Sequence, residues 1–248
     1  MNATASHCAR RALAILTLLL CTFSTARASE LLVNGGFENS GAYRAANWDV
    51  TNSGNGDWWR LQGTNSPISG NPVPAPPSGN AFMADQFDGI AGSHYLLQNF
   101  LAPVDLNTYM LSFQVFVNSA SPYSDTQKAS VDLLAAGASD MTTNVLLNIF
   151  TADASFGNPA GYAFISKDIS SAITPGNTYR LRFSEVNNAG YLRMGVDNVS
   201  LDGTFVQAPP PVNPDPLPVE EAPEPATLVM MGAGLVGIAA GRKLRARA

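Results

Sequence analysis

Cysteine is missing from most of this chain, since its two cysteines, Cys8 and Cys21, both lie near the N-terminus. A segment without cysteine forms no disulfide and offers no thiolate as a nucleophile or metal ligand. Histidine is nearly as scarce, and His94 is the only one beyond residue 28. A zinc site built from clustered Cys and His is therefore excluded. Stability must come from a hydrophobic core and, where one is held, from a bound ion.

Glutamate is also scarce where an enzyme would need it. Residues 29–206 contain only Glu30, Glu38 and Glu185, and no spacing among the acidic residues singles out the carboxylate pair of a glycosidase. There is no Gly-x-Ser-x-Gly elbow. We expect His94, at a strand start, to be a surface or capping residue. The sequence therefore predicts no catalytic residues and no enzyme, with a hydrolase as the least favoured alternative.

Basic side chains are few away from the two ends. Residues 29–222 hold 18 acidic and seven basic side chains, a net charge of −11, whereas the whole chain carries −5. Such an acidic surface argues against nucleic acid and anionic membranes as partners, because both would be repelled. Neutral glycans and divalent cations remain compatible with it.

Long hydrophobic runs occur only at the ends, and the first has the form of a signal peptide. Arg10 and Arg11 precede the apolar run 12–23, and Ala26-Arg27-Ala28 matches a signal-peptidase site. We predict a signal peptide over residues 1–28, cut after Ala28 by signal peptidase. The protein is then exported.

The second apolar run, residues 226–241, carries no charge and precedes a basic tail that begins with Arg242 and Lys243. A helix of these sixteen residues would be about 24 Å long, a short membrane span with its basic end in the cytoplasm. Its MGAGLVG segment matches Gly-x-Gly-x-x-Gly, but no strand precedes it and no acidic residue follows. We predict a membrane helix here and no bound nucleotide.

The C-terminal residues also resemble a known sorting signal. Pro223-Glu224-Pro225, the apolar run and the arginine-rich tail together resemble the PEP-CTERM signal of Gram-negative bacteria. The resemblance implies processing by exosortase, a membrane-embedded cysteine transpeptidase. It also implies transient anchoring in the inner membrane, then placement at the cell surface or in the extracellular matrix, in a setting of polysaccharide and biofilm formation.

Between the two ends, residues 29–206 read as one domain and the Pro-rich, acidic residues 207–222 as a linker, followed by the sorting signal at 223–248. Apolar and polar residues alternate in several short segments, as in 109–115, and turn residues separate them. We predict an all-β, antiparallel β-sandwich. Its predicted strands are Leu31–Val33, Trp58–Leu61, Ala81–Gln86, Tyr95–Phe100, Tyr109–Val117, Ser130–Leu134, Val145–Phe150, Tyr162–Ile169, Tyr179–Val186 and Leu192–Leu201.

Four motifs in the domain resemble carbohydrate-binding modules with a galactose-binding-like jelly roll. In chain order they are Asn34-Gly35-Gly36-Phe37-Glu38, Pro77-Ser78-Gly79-Asn80-Ala81, Tyr109-x-Leu111-x-Phe113 and Val196-Asp197-Asn198-Val199-Ser200-Leu201. The resemblance implies a jelly-roll fold and a structural calcium ion. The implied ligands are the side chains of Glu38 and Asp197 and the backbone carbonyls of Gly36 and Ala81. Alternatively, Glu38 caps a turn and Asp197 accepts backbone hydrogen bonds.

Aromatic residues mark where a sugar could stack. Trp58 and Trp59 are adjacent in a strand, so one must face away from the core, and Tyr123 and Tyr162 lie in or near turns. We expect these four as ligand residues and Trp48 as a core residue. The sequence thus predicts a non-catalytic matrix or surface protein that binds extracellular polysaccharide. The alternative is a structural protein that assembles with itself.

Overall fold

The computed structural model describes residues 28–87, 91–156 and 161–205. All of the predicted signal peptide 1–28 except Ala28 lies outside these residues, as do the linker and the C-terminal sorting signal with its apolar helix. Among the residues described, no helix is long and apolar enough to cross a membrane.

Strands form most of the described chain. They are β1 (Ala28–Glu30), β2 (Asp49–Gly54), β3 (Asp57–Leu61), β4 (Ala81–Asp85), β5 (Gly92–Leu101), β6 (Leu106–Ser119), β7 (Lys128–Ala135), β8 (Leu147–Thr151), β9 (Ala163–Asp168), β10 (Thr178–Asn187) and β11 (Leu192–Phe205). Two single-turn 3-10 helices, Ala154–Phe156 and Ser170–Ala172, lie between strands.

The strands form two antiparallel sheets. The six-stranded sheet has the order β3-β4-β11-β6-β9, with β1 also paired to β11, and the five-stranded sheet has the order β2-β5-β10-β7-β8. Every pair is antiparallel, and strands that follow one another along the chain often belong to different sheets. The predicted all-β sandwich of jelly-roll type is confirmed.

Two of the strand predictions were wrong in detail. The first strand is Ala28–Glu30, just before the predicted Leu31–Val33, because these residues pair with the end of β11. β2 was not predicted, since its sequence DVTNSG is mostly polar and includes Asp, Asn and Gly, which are depleted in strands. It forms because the edge of β5 offers unpaired backbone groups over the whole segment from Asp49 to Gly54.

The main core fills the space between the two sheets. Alternate residues of facing strands enter it, such as Phe82, Leu96, Phe113 and Phe183. Trp48 is 4% exposed and packs against Phe183, which confirms its prediction as a core residue. Because both sheets bury one face here, the opposite faces are left to carry polar residues and binding sites.

A smaller apolar cluster lies on the outer face of the six-stranded sheet. It contains Leu61, Val73, Ala81, Met83 and Phe116. Their strand neighbours, such as Phe82, belong to the inner core, as expected for a period of two residues. Val73 comes from the connection between β3 and β4, which therefore covers part of this face.

Candidate functional sites

The predicted calcium ligands lie around the turn at residues 78–80. Both oxygens of the Glu38 carboxylate accept hydrogen bonds from Asn80, at 3.0 Å from its backbone nitrogen and 2.7 Å from its side-chain amide. A Cβ atom at Gly79 would overlap the Glu38 carboxylate. The turn therefore packs directly on Glu38, and Ala81 follows it as the first residue of β4.

Asp197 lies on the other side of the same turn. Its carboxylate accepts hydrogen bonds from the backbone nitrogen and hydroxyl of Ser78, both at 3.1 Å, and from the backbone nitrogen of Asn198. Burial raises the pKa of Asp197, and the negative charge of Glu38 raises it further. The fold thus brings Glu38 and Asp197 close enough to interact, although they are far apart in sequence.

The donor set at this turn is one of oxygen atoms. Ser78 also donates to the side-chain oxygen of Asn198, which lies near Gly36. Within the described ranges no three His, Cys, Asp or Glu side chains form a group that could hold a metal ion. A cation here would therefore need carbonyl and amide oxygens beside the two carboxylates, the mixed oxygen set that Ca²⁺ accepts.

The two adjacent tryptophans face opposite ways. Trp58 is 0% exposed and belongs to the inner core, so it cannot contact a ligand at the surface, contrary to its prediction as a ligand residue. Trp59 points out of the sandwich and is half-buried between Tyr43 and Phe87. We call these three residues the aromatic corner.

The two predicted tyrosines belong to neither site. Tyr123 is half-buried against the inner core, and burial raises the pKa of its hydroxyl. Tyr162 packs edge-on against Phe116 in the outer apolar cluster, where burial also raises its pKa. Neither hydroxyl has a hydrogen-bond partner among the described residues. The structure therefore separates the four aromatic residues that the sequence analysis grouped together.

One concave site was not predicted from the sequence. It is a cavity of about 450 Å³ on the outer face of the five-stranded sheet, which we call the outer groove. Most of its lining side chains can form hydrogen bonds. The lining residues are Tyr95, Asp125, Lys128, Ser130, Asp132, Met141, Thr142, Thr143, Val145, Asn148, Thr151, Arg182, Ser184 and Val186.

A buried ion pair forms the floor of the outer groove. Arg182 on β10 donates to the Asp132 carboxylate on β7 at 2.8 Å, and both side chains are buried. Arg182 also donates to the backbone oxygens of Asp140 and Thr142, at 2.8 Å each. These bonds tie the loop between β7 and β8 to the sheet and shape one wall of the groove.

One donor on this floor is left over. The Nε–H of Arg182 is buried and has no acceptor in the part of the chain that the structure describes. A buried donor without a partner costs about 1–3 kcal/mol. The guanidinium also lies 5.3 Å from the centre of the Tyr95 ring, which holds it in place.

A signal for the outer groove was present in the sequence. Arg180 and Arg182 share the polar face of β10, and the polar residues Ser130 and Asp132 alternate in β7 in the same way. The pairing of β10 with β7, which places these two polar rows side by side, could not be predicted from the sequence.

His94 was expected at the surface, and this expectation was wrong. The side chain is 0% exposed, and its ring nitrogens lie 3.1 Å from the side-chain oxygen of Asn52 and the backbone oxygen of Asn55. Its nearest acidic neighbour is Glu185, also fully buried, at 3.7 Å. Burial lowers the pKa of His94 and raises that of Glu185. Period-two alternation places both residues on the inner faces of β5 and β10.

Comparison with protein families finds one match. Residues 221–245 match the PEP-CTERM protein-sorting motif, which confirms the resemblance at the C-terminus. The motif indicates export and exosortase-mediated sorting at the membrane. A comparison with curated protein sequences finds no significant match.

Several solved structures are similar to the β domain. The K3 adhesin domain of Lys-gingipain from Porphyromonas gingivalis has 16% identity and a TM-score of 0.46, over 71% of this chain and 99% of that one. A family 11 carbohydrate-binding module of a Clostridium thermocellum cellulase has 16% identity and a TM-score of 0.41, over 73% and 96%. The enzymatically active domain of bacteriophage CBA120 tailspike protein 4 has 14% identity and a TM-score of 0.43, over 71% of this chain and 21% of that one.

Proposed function

We propose that this protein is an exported, non-catalytic glycan-binding protein of the cell surface or extracellular matrix, and that its β domain holds polysaccharide in the outer groove. Export and sorting follow from the PEP-CTERM motif at residues 221–245. The ligand class follows from the chemistry of the groove, because hydroxyl, amide and charged side chains that share one concave surface are suited to the many hydroxyl groups of a sugar.

The observation that carries this proposal is the outer groove itself, a concave surface with the buried Arg182–Asp132 ion pair in its floor and mostly hydrogen-bonding side chains along its lining. The cavity volume of about 450 Å³ falls within the range of small-molecule sites. The positive charges of Lys128 and Arg182 are balanced by Asp125 and Asp132. A neutral saccharide segment therefore fits better than a strongly charged one.

Affinity gel electrophoresis against a panel of soluble polysaccharides tests the proposal. The panel consists of mixed-linkage β-glucan, galactan, xylan, mannan and the host's own extracellular polysaccharide. We expect at least one member to retard the wild-type domain. Thr143→Trp, which fills the groove from an exposed position on its wall, should weaken this retardation at least tenfold.

The matched control is Thr174→Trp, which adds the same side chain at an exposed position that does not line the groove. It should bind like the wild type. Equal retardation of Thr143→Trp and Thr174→Trp would contradict the assignment of the site. Lack of binding to every member of the panel would contradict the function.

We also propose that the turn at residues 78–80 holds a structural Ca²⁺ ion. The residues present fit such an ion, since Glu38, Asp197 and Asn198 supply hard oxygen atoms, with backbone carbonyls of Gly36 and Ala81 as further donors. Burial raises the pKa of Asp197, and the charge of Glu38 raises it further; a cation beside the two carboxylates would favour their charged forms. The ion would join the opening loop to the last strand.

Thermal unfolding with and without calcium tests the ion. An ion that binds only the folded state raises the melting temperature with concentration. We expect EGTA to lower the melting temperature of the wild type by several degrees and added Ca²⁺ to restore it. Asp197→Asn should abolish the response. A wild-type melting curve that EGTA leaves unchanged would contradict calcium binding.

A further inference from the structure

The aromatic corner lies outside the groove and is not used by the proposed function. Tyr43 is 54% exposed and Phe87 is 51% exposed. Their ring centroids lie 4.5 Å and 5.7 Å from that of Trp59, both in edge-on geometry. Single exposed apolar residues are common, but three aromatic rings in contact at the surface form an apolar patch, and such patches are typical of binding sites.

Trp59 is held rigidly in this corner. Its indole N–H donates to the Asp57 carboxylate at 3.2 Å, and its strand neighbour Trp58 is anchored in the inner core. A ring that is fixed before binding loses little side-chain entropy when a ligand packs on it. Trp59 is therefore suited to act as a stacking surface.

Polar side chains lie next to the rings. Beside Tyr43 and Trp59 is a cavity of about 420 Å³ whose lining includes Arg60, Gln62 and Asn65. Arg60 donates to the backbone oxygen of Ser40, and Gln62 donates to the side-chain oxygen of Asn80. An apolar protein surface covering this site would leave the remaining donors and acceptors of these side chains without partners, at a cost for each, and three rings are a small area for a protein interface. A sugar offers both an apolar face for the rings and hydroxyl groups for the polar residues.

We propose that the aromatic corner is a second saccharide-binding surface, so that one β domain holds two polysaccharide segments. This inference rests on the proposed function of the outer groove. Trp59 lies on the outer face of the six-stranded sheet, whereas Arg182 lies on the outer face of the five-stranded sheet. Because the two sheets lie back to back, one short chain segment cannot occupy both sites. The domain instead links two segments, as a matrix cross-linker must.

Acrylamide quenching of tryptophan fluorescence isolates the corner. The chain has three tryptophans; Trp48 and Trp58 are buried at 4% and 0% exposure, so quenching by acrylamide reports mainly on Trp59. We expect hexasaccharides prepared from the panel member that binds the groove to reduce the quenching constant of the wild type at least twofold. Tyr43→Ser should remove this protection. Phe164→Ser, which removes a phenylalanine that is 67% exposed outside the corner, should retain it.

Light scattering then tests the linking of two segments. The wild type mixed with the intact polysaccharide should form particles that grow with protein concentration. Trp59→Ala should still be retarded in affinity electrophoresis but form no such particles. Thr143→Trp, whose retardation is weakened, should form no such particles either. Circular dichroism melting confirms that both variants are folded.

The outcomes separate the two proposals. The second surface is overturned, and the groove is kept, if Thr143→Trp weakens retardation while saccharide still protects Tyr43→Ser from quenching and Trp59→Ala still forms growing particles. If neither site protects or binds any saccharide, the proposed function falls as well. Protection of Trp59 that rises with protein concentration in the absence of saccharide would identify a second copy of the chain as the occupant and overturn the inference.

Discussion

At the scale of single residues, alternation along a strand decides what each side chain does. Trp58 and Trp59 are neighbours in sequence, yet one belongs to the core and the other to the surface. The same alternation takes His94 and Glu185 into the interior, where neither can be solvated. Residue type alone predicts neither outcome, because tryptophan and histidine occur in both environments.

The two tryptophans should differ sharply in their effect on stability. Trp58→Ala removes a fully buried ring and is expected to lower the free energy of unfolding by about 3–5 kcal/mol. Trp59→Ala removes a half-buried ring at the surface and is expected to cost about 1 kcal/mol or less. Urea unfolding of the two variants checks this prediction. Equal losses in the free energy of unfolding would contradict the assignment of Trp58 to the core face of β3 and Trp59 to its outer face.

Glu185 should make stability depend on pH. Burial raises its pKa in the folded state well above the ordinary value of 4.5, and the hydrogen bond that it accepts from Asn187 only partly offsets this. His94, at 3.7 Å, is too far away to donate a second one. The folded state therefore holds the proton more tightly than the unfolded state. The stabilisation is present below pH 4.5 and is lost as the pH rises through the folded-state pKa.

Glu185→Gln keeps the shape of the side chain and removes its charge. We expect the melting temperature of this variant, relative to the wild type, to rise as the pH is raised from 5 to 8. Glu30→Gln, at an exposed glutamate, is the control and should show no such trend. A constant difference between Glu185→Gln and the wild type across this range would contradict the buried, protonated carboxyl.

At the scale of elements, the loop between β7 and β8 is held by the sheet it covers. Arg180 and Arg182 project from β10, and both bond to Asp140 of the loop. Thr51 of β2 also donates to the Asp140 carboxylate. The wall of the outer groove is therefore fixed from two strands of the same sheet and needs no regular structure of its own.

Removing one partner of the ion pair in the groove floor should lower the free energy of unfolding more than removing both partners. Arg182→Ala leaves Asp132 buried without its cation, so we expect a loss of about 3–5 kcal/mol in the free energy of unfolding. The double variant Arg182→Ala/Asp132→Ser removes the unpaired charge and should recover part of that loss. Urea unfolding of the single and double variants gives the coupling energy, and purely additive effects would contradict the pairing.

At the scale of the whole molecule, the two ends and the domain have separate tasks. Residues 29–222 carry a net charge of −11, which the basic residues at the two ends reduce to −5 for the whole chain. The motif at 221–245 indicates sorting. The β domain places its two candidate binding sites on opposite outer faces, which suits the proposed role of linking two polysaccharide segments.

Sorting should depend on the short motif and not on the domain. Replacing Pro223, Glu224 and Pro225 with alanine is expected to block exosortase processing, because the enzyme's recognition sequence is lost while the apolar run remains. Immunoblots of cell fractions should then show a longer form retained with the membranes. Trp59→Ala, which leaves the motif intact, should be processed like the wild type. Normal processing of the triple variant would contradict the role of these residues.

Much of this protein follows from local sequence. The pattern of the C-terminal motif, the alternation in β6 and β10 and the turn residues between strands are local features, so the sorting motif, the all-β class and most strand positions were predictable. Trp48 as a core residue was predictable for the same reason. The polar β2 was missed because its formation depends on the edge of β5 and not on its own residues.

The binding surfaces were decided by the tertiary structure alone. Tyr95, Asp132 and Arg182 come from three separate strands, and only the order β5-β10-β7 makes them neighbours. Tyr43, Trp59 and Phe87 meet in the same way, and so do Glu38 and Asp197 across the turn at residues 78–80. A period of two residues predicts which side chains of a strand share one face of the sheet. The pairing of distant strands determines which of the two faces is the core and which side chains become neighbours on it.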